Sequence, residues 1–279
     1  EYIGTLITKD TTKDEIVKMM VGRVIYGDKK EKSTVPDNAD VVLEVKNLCL
    51  GNEVKNVSFK LHRGEILGFA GLMGAGRTES ARAIYGADKK DYGEIYINGK
   101  KVNIKTPEQA VKHGICYLSE DRKRYGLMLI KSVAENSVLA SIDNYIKCGW
   151  INDKKISEDA ERVNALLKTK TPSMNQQLKN LSGGNQQKVI VARWLLKNSD
   201  IFIFDEPTRG IDIGAKSEMY ELMEDLAKQG KSIIMISSEL AEIQRLSDRV
   251  IVMCEGRITA DMDVSGATQE EIMKYATMR

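Results

Sequence analysis

The chain has 279 residues, 42% of them hydrophobic, enough to bury one large core or one and a half smaller ones, so disorder is not the default reading. Lys and Arg (42) nearly balance Asp and Glu (40), which argues against the global basic field of a non-specific nucleic-acid binder and leaves a phosphate ligand to a local site. Cys49, Cys116, Cys148 and Cys254 are scattered, without a CxxC pair or a histidine cluster, which argues against structural zinc and a disulfide framework and fits reduced thiols in cytosol. No apolar run approaches the roughly 20 residues needed to cross a bilayer, and EYIGTLITKD lacks the regions of a signal peptide, so the chain reads as soluble.

In chain order, the first stretch, YIGTLITKDTTKDEIVKMMVGR, echoes the last, RITADMDVSGATQEEIMKYATMR. Thr12, Glu15, Ile16 and Lys18 match Thr268, Glu271, Ile272 and Lys274, with the Thr-to-Glu spacing of a capping box. Either two unrelated helices share a cap, or residues 1–26 are the tail of a preceding domain homologous to the one ending at Arg279; the missing initial Met favours the second reading. Residues 27–40, GDKKEKSTVPDNAD, are charged and lack apolar periodicity, which marks a linker. The main domain then spans 41–279. VVLEVKNLCL and VKNVSFKL predict an early β-rich part, and EILGFAG predicts a strand leading through a loop into the helix TESARAIYG. Later strands, ICYLS, IFIFD, SIIMIS and RVIVM, alternate with helical stretches such as GAKSEMYELMEDLAKQG, which predicts a largely parallel sheet covered by helices.

Gly71, Leu72, Met73, Gly74, Ala75, Gly76, Arg77 and Thr78 have the glycine spacing and the strand-to-helix context of a phosphate-binding loop. Thr78 can offer its hydroxyl to Mg²⁺, but Arg77 stands where that loop needs lysine, and its longer, forked cation need not follow the lysine's path. By itself the stretch is equally a tight turn. LSGGNQQKVIVARWLL, 181–196, opens a helix at Ser182, Gly183 and Gly184, where exposed amides could meet a phosphate; the alternative is an ordinary serine cap. IFIFDEPTRGID delivers Asp205 to a sheet edge, placed to hold Mg²⁺, with Glu206 next to it as a candidate base for an attacking water. Without the neighbouring motifs those two acids would read as a polar turn.

LSGG followed by apolar-DEPT, downstream of a phosphate-loop turn, resembles the nucleotide-binding domain of ABC ATPases, an α/β P-loop fold with a mainly parallel core sheet, an antiparallel β subdomain and a helical signature subdomain. SEDRKRYGL, TPSMNQQLKNLSGGNQQK, DEPTRGIDIGAKSEMY and ISSELAEI resemble the second domain of tandem ATPase subunits of bacterial ribose, galactose and xylose-type importers. The resemblance implies ATP and Mg²⁺ as ligands and residues 71–78 as Walker A. It makes Asp205 the Walker B aspartate and Glu206 the catalytic glutamate. Ser182, Gly183, Gly184 and Gln186 fall in the signature, Arg209 to Asp212 in the D-loop, and about 130–198 in the helical subdomain. It also implies the N-terminal ABC domain of the same chain, membrane permease subunits and, indirectly, a periplasmic or lipid-anchored sugar-binding protein as partners. The location implied is the cytoplasmic face of the membrane, and nucleic acid is not among the partners.

Departures matter as much as matches. Glu120 falls where the family has its Q-loop glutamine, which puts a carboxylate among the candidate metal ligands, and Ser238 falls at the switch-histidine position. Serine lacks the charge and reach of imidazole. No aromatic residue lies between positions 41 and 56 to stack on adenine. Arg77, Glu120 and Ser238 together weaken this domain's own site while LSGGNQQ stays complete, so the expected role is to complete a competent site on the N-terminal half. The full-length protein is then an ATP hydrolase and the isolated domain weak or inactive. The competing readings are a soluble tandem ABC ATPase acting on ribosomes or DNA, and a regulatory ABC domain that never hydrolyses. Arg122, Lys123 and Arg124 read as a solvated basic loop or as a permease contact. Met128, Leu129, Trp150 and Ile151 read as core packing or as a docking groove, core packing being the safer reading. His62 and His113 carry no assigned chemistry.

Overall fold

Alternation of buried and exposed residues in Val41–Leu50 (β1) and Val54–His62 (β2) lays one face of an antiparallel pair on the core. The computed structural model describes residues 30–36 and 38–278, with Thr5, Ile7, Lys9, Thr11 and Met19; the tail predicted at 1–26 lies, apart from those isolated positions, outside the described residues. Ile66–Gly71 (β3) leads into the helix Arg77–Tyr85 (α1), and Tyr92–Ile97 (β4) and Lys100–Val102 (β5) complete the first sheet in the order β2-β1-β4-β5. Next come Pro107–Lys112 (α2), Ile115–Leu118 (β6), Val133–Val138 (α3), the hairpin Ile146–Lys147 (β7) and Trp150–Ile151 (β8), Asp153–Leu166 (α4) and Gly183–Leu196 (α5). Ile201–Asp205 (β9), Ile213–Lys228 (α6), Ser232–Ile236 (β10), Leu240–Leu246 (α7), Arg249–Cys254 (β11), Arg257–Asp263 (β12) and Gln269–Ala276 (α8) finish the chain.

The second sheet runs β12-β11-β3-β10-β9-β6, with parallel pairing from β11 through β6 and β12 antiparallel at the edge. Every residue of β9 and β10 is buried, as unbroken apolar strands covered on both faces must be. Because β3, β9 and β10 run the same way in register, with Ile236 beside both Phe69 and Asp205, their carboxyl ends bring three loops to one edge. One face of this sheet packs on the antiparallel sheet, where the rings of Phe59 and Phe69 meet edge to face at 5.2 Å. The other face packs on α5 and α6 through Phe202, Phe204, Trp194 and Met219.

The helical subdomain is built from α3, α4 and α5. Ser132 and Glu135 form a reciprocal capping box at the start of α3. The buried Arg193 on α5 donates to the carbonyls of Gly126 and Asn136 at 2.7 and 2.9 Å and to Asn136 Oδ1 at 3.2 Å. One guanidinium thus ties the subdomain to the segment after β6. Trp150 (81% exposed) and Ile151 (54%) stand on the β7–β8 hairpin rather than in the core, which corrects the core-packing expectation. The reason is local. Cys148 and Gly149, both at positive φ, turn a hairpin of two-residue strands, too short to reach the packed interior.

From residue 30 the linker is not loose. The buried Asp248 carboxylate accepts from Lys30 Nζ at 2.6 Å and from the Thr34 amide at 2.8 Å, and its other oxygen accepts the Ile66 amide at 3.0 Å. At the chain's other end, Thr268 caps α8 by accepting from the Glu271 amide, as the Thr-to-Glu spacing predicts; its proposed N-terminal counterpart lies outside the described residues.

Candidate functional site

The loop after β3 is shaped by what surrounds it. A Cβ at Gly76 (φ 96°) would fall 2.4 Å from the Glu53 carbonyl oxygen, so only glycine lets the chain pass here into α1. Ala75 N donates to the Leu72 carbonyl at 3.1 Å, closing a turn whose tip, Leu72, Met73 and Gly74, is exposed. A cleft of about 590 Å³ opens above it, lined by residues 71–79 and by Glu120, Glu206, Arg209 and Ser238. The structure therefore brings the predicted phosphate loop, Glu206, Glu120 and Ser238 to one place, at the amino end of a helix whose dipole favours an anion.

Behind the loop, Thr78 Oγ1 donates to Asp205 Oδ1 at 3.0 Å and Tyr117 Oη donates to Asp205 Oδ2 at 2.5 Å. Burial pushes the Asp205 carboxyl above the ordinary carboxylate range, against these two hydrogen bonds, which hold it down. The Thr78 hydroxyl and Asp205 Oδ1 are two hard oxygens at about the spacing of neighbouring ligands on an octahedral Mg²⁺ with bonds of roughly 2.1 Å, so the donor set fits that ion. Tyr117 leaves Oδ1 for this purpose by occupying Oδ2. Sequence reasoning missed Tyr117, which lies 88 residues from Asp205 and is brought beside it by the pairing of β6 with β9.

Glu206 sits at a positive φ of 49°, a strained conformation for a glutamate, pinned by its amide donating to the Ile236 carbonyl at 2.9 Å. Ser238 Oγ donates to Glu206 Oε2 at 3.1 Å. Burial raises the Glu206 pKa, and that hydrogen bond and the Arg77 charge oppose the rise. Arg77 is buried and turns inward. Its Nη1 donates to the Ser237 carbonyl at 2.8 Å, and burial lowers its pKa against the charges of Glu206 and Asp205. Ser237 Oγ donates to the buried Glu242, which also accepts from Thr208 Oγ1 at 2.6 Å and Tyr220 Oη at 2.7 Å. Glu242, a second residue the motifs did not flag, fixes the loop that carries Arg77's acceptor.

Glu120 forms an ion pair with Arg209 across the mouth of the cleft. Ser182, Gly183 and Gly184 do not line this cleft, though Gly183 lies against Gly210 and Ile211 at its rim; Ser182 is exposed and its hydroxyl is held by Asn185 Nδ2 at 2.9 Å. Gln186 is buried, its Nε2 donating to the carbonyls of Leu178 and Leu181, so its side chain braces the turn beneath Ser182. Arg122, expected in a solvated or permease-facing loop, is instead bonded within the chain, to the carbonyls of Arg209 and Gly210. Among the described residues no group of three or more His, Cys, Asp or Glu converges as a metal cage, and no helix is long and apolar enough to cross a membrane.

Comparison with known proteins follows the same lines. Residues 54–209 match the family model described as ABC transporter. The chain is 51% identical over 279 residues to a provisionally named ribose/galactose/methyl galactoside import ATP-binding protein of Halalkalibacterium halodurans, covering 99% of this chain and 53% of that protein. It is 50% identical over 282 residues to the ribose import ATP-binding protein RbsA of Clostridium tetani, covering 99% of this chain and 54% of that one. The chain thus spans about half the length of the curated relatives it matches. Among solved structures, the dimeric MJ0796, a bacterial ABC transporter cassette, superposes with a TM-score of 0.68 at 23% identity, over 81% of this chain and 100% of that one, which speaks to the fold. With a family model matching more than half of its length and a curated relative 51% identical across 99% of it, the chain belongs to the ABC transporter family.

Proposed function

We propose that this chain is the second nucleotide-binding domain of a tandem ABC ATPase that powers import of a monosaccharide, and that it lends its signature to a competent ATP site on the first domain while its own phosphate loop forms a degenerate one. The observation that carries the reading is the inward turn of Arg77. The cation that should reach toward β- and γ-phosphates is spent on the Ser237 carbonyl, and Ser238 faces Glu206 where an imidazole would act. The position of Ser182 to Gly184 outside the chain's own cleft supports the second half of the proposal, because a signature acts on the nucleotide of a facing domain.

In this reading the residues 71–76 cradle phosphate through backbone amides, and Thr78 and Asp205 hold Mg²⁺, which when bound neutralises phosphate charge. Glu206 retains a carboxylate at the mouth of the site, bonded to Ser238 and with its pKa raised by burial, so slow residual turnover is in keeping with the geometry. Glu120 is a candidate metal ligand only after it leaves Arg209. The names of the relatives, which span import of ribose and galactosides, support sugar uptake at the cytoplasmic face of the membrane, together with permease subunits and a sugar-binding protein. The test is calorimetry and steady-state ATPase on this chain alone. Weak ATP binding with little turnover is expected, and micromolar affinity with robust turnover would overturn the degenerate-site assignment.

A further inference from the structure

The segment after β6 carries a basic run that the nucleotide cleft leaves unexplained. Asp121 caps a wide helical turn, Arg122–Gly126, by accepting the Arg124 amide at 3.1 Å, and this points Arg122 back toward the protein. Arg122 Nη1 donates to the Arg209 carbonyl at 2.8 Å and Nη2 to the Gly210 carbonyl at 3.3 Å. Beside it, Glu120 pairs with the Arg209 side chain, so the two segments are joined through both main chain and side chain. The same guanidinium lies against the signature. A Cβ at Gly183 would meet Arg122 Nη2 at 2.7 Å, the Gly210 carbonyl at 3.1 Å and Ile211 Cγ2 at 3.2 Å. Gly184 approaches Ala215 as closely, so the start of α5 rests on the loop 209–212 and the first turn of α6.

A guanidinium suits this junction because its planar fork can serve two adjacent carbonyls at once, which a lysine ammonium on a flexible stem does less well. It joins three chain segments distant in sequence: the one after β6, the loop 209–212 and the signature.

Resting on the reading under Proposed function, we propose that Arg122 is a positioning residue that locks the loop Arg209–Gly210 against Gly183, so that the signature and the D-loop are presented to the partner domain's nucleotide as one rigid unit. Arg122 itself touches no nucleotide. Its loss leaves first binding of ATP to the partner's phosphate loop intact and impairs the closed arrangement in which turnover occurs, so kcat falls while KM does not.

The test is steady-state ATPase of the full-length tandem protein carrying Arg122→Ala, Arg122→Lys, Lys123→Ala or Gly183→Asp, with thermal midpoints measured alongside. Arg122→Ala is expected to lower kcat about tenfold, with KM for ATP within about twofold of the parent, as for loss of charge-assisted bonds made in the active arrangement. Arg122→Lys, which keeps charge and folding, is expected to be intermediate in kcat with an unchanged midpoint, and Lys123→Ala, at the exposed neighbour, to match the parent. Parental kcat in Arg122→Lys and Arg122→Ala overturns the proposal, as does an equal loss in Lys123→Ala, which would assign the effect to loop charge. Gly183→Asp separates the two levels. If it abolishes turnover while the Arg122 variants match the parent, only the positioning role fails; if it leaves turnover intact, the signature's role in a partner site fails, and this inference with it.

Discussion

The edge at residues 71–78 and the edge at residues 182–184 bury their polar groups to different extents. At the first, Arg77, Thr78, Asp205, Glu206 and Ser238 are already bonded to one another or to main chain. At the second, Ser182 is exposed at the head of α5 with its hydroxyl accepting from Asn185, while the buried Gln186 and Arg193 brace the helix and Arg122 bonds the neighbouring loop 209–210. Buried, bonded groups cost free energy to redirect toward a ligand, whereas an exposed helix start is accessible without such rearrangement. Under the proposed reading the contrast turns on Arg77, whose cation bonds the Ser237 carbonyl, while Thr78 and Asp205 keep a spacing that fits Mg²⁺.

The largest expected effect falls on the signature edge. Arg193→Ala leaves three neutral acceptors without its donors, beside the space of a removed buried side chain, and is expected to lower the unfolding free energy by about 3–5 kcal/mol in urea titrations. A loss below about 1 kcal/mol would mean the helical subdomain is not held by this tie. On the phosphate-loop edge, Gly76→Ala is expected to cost about 2–4 kcal/mol, because its Cβ would strike the Glu53 carbonyl at a positive φ. Gly74→Ala, whose Cβ meets open space, should cost only about 1 kcal/mol, from backbone strain alone. Equal costs at Gly74 and Gly76 would contradict the packing that shapes the cradle.

Much of this was legible beforehand because it is local. IFIFD, SIIMI and RVIVM announce buried parallel strands by unbroken apolar runs, and LSGGNQQ and DEPT sit where strand and helix ends must present them. Tyr117, Glu242 and Arg122 were not legible as site residues, since each acts through contacts 88, 34 and 87 residues away that exist only once the sheet is assembled. Trp150 was misjudged for a different reason. Hydrophobicity alone does not tell a core tryptophan from one on a short projecting hairpin, although Gly149 just before it is a turn signal.

Smaller effects sharpen the contrast. Asp205→Asn is expected to stabilise this chain slightly at neutral pH. An acid whose pKa is raised by burial ionises later in the folded state than in the unfolded one, so the wild type loses stability as pH rises from the ordinary carboxylate value to the raised one. The substitution removes that loss, and the difference should vanish in denaturant titrations carried out below the ordinary carboxylate range. An Asp205→Asn variant less stable than the parent at neutral pH would mean the bonds from Thr78 and Tyr117 outweigh the desolvation. Ser238→Ala should be smallest, under about 1 kcal/mol, because it removes one exposed hydrogen bond to Glu206.

The most direct measurement of the central claim is ATP hydrolysis by the full-length tandem protein with Gly183→Asp set against Arg77→Ala. An aspartate in the signature is expected to abolish turnover, while loss of the arginine, already bonded to the Ser237 carbonyl, is expected to leave most of it. Intact activity in Gly183→Asp together with abolished activity in Arg77→Ala would contradict that claim.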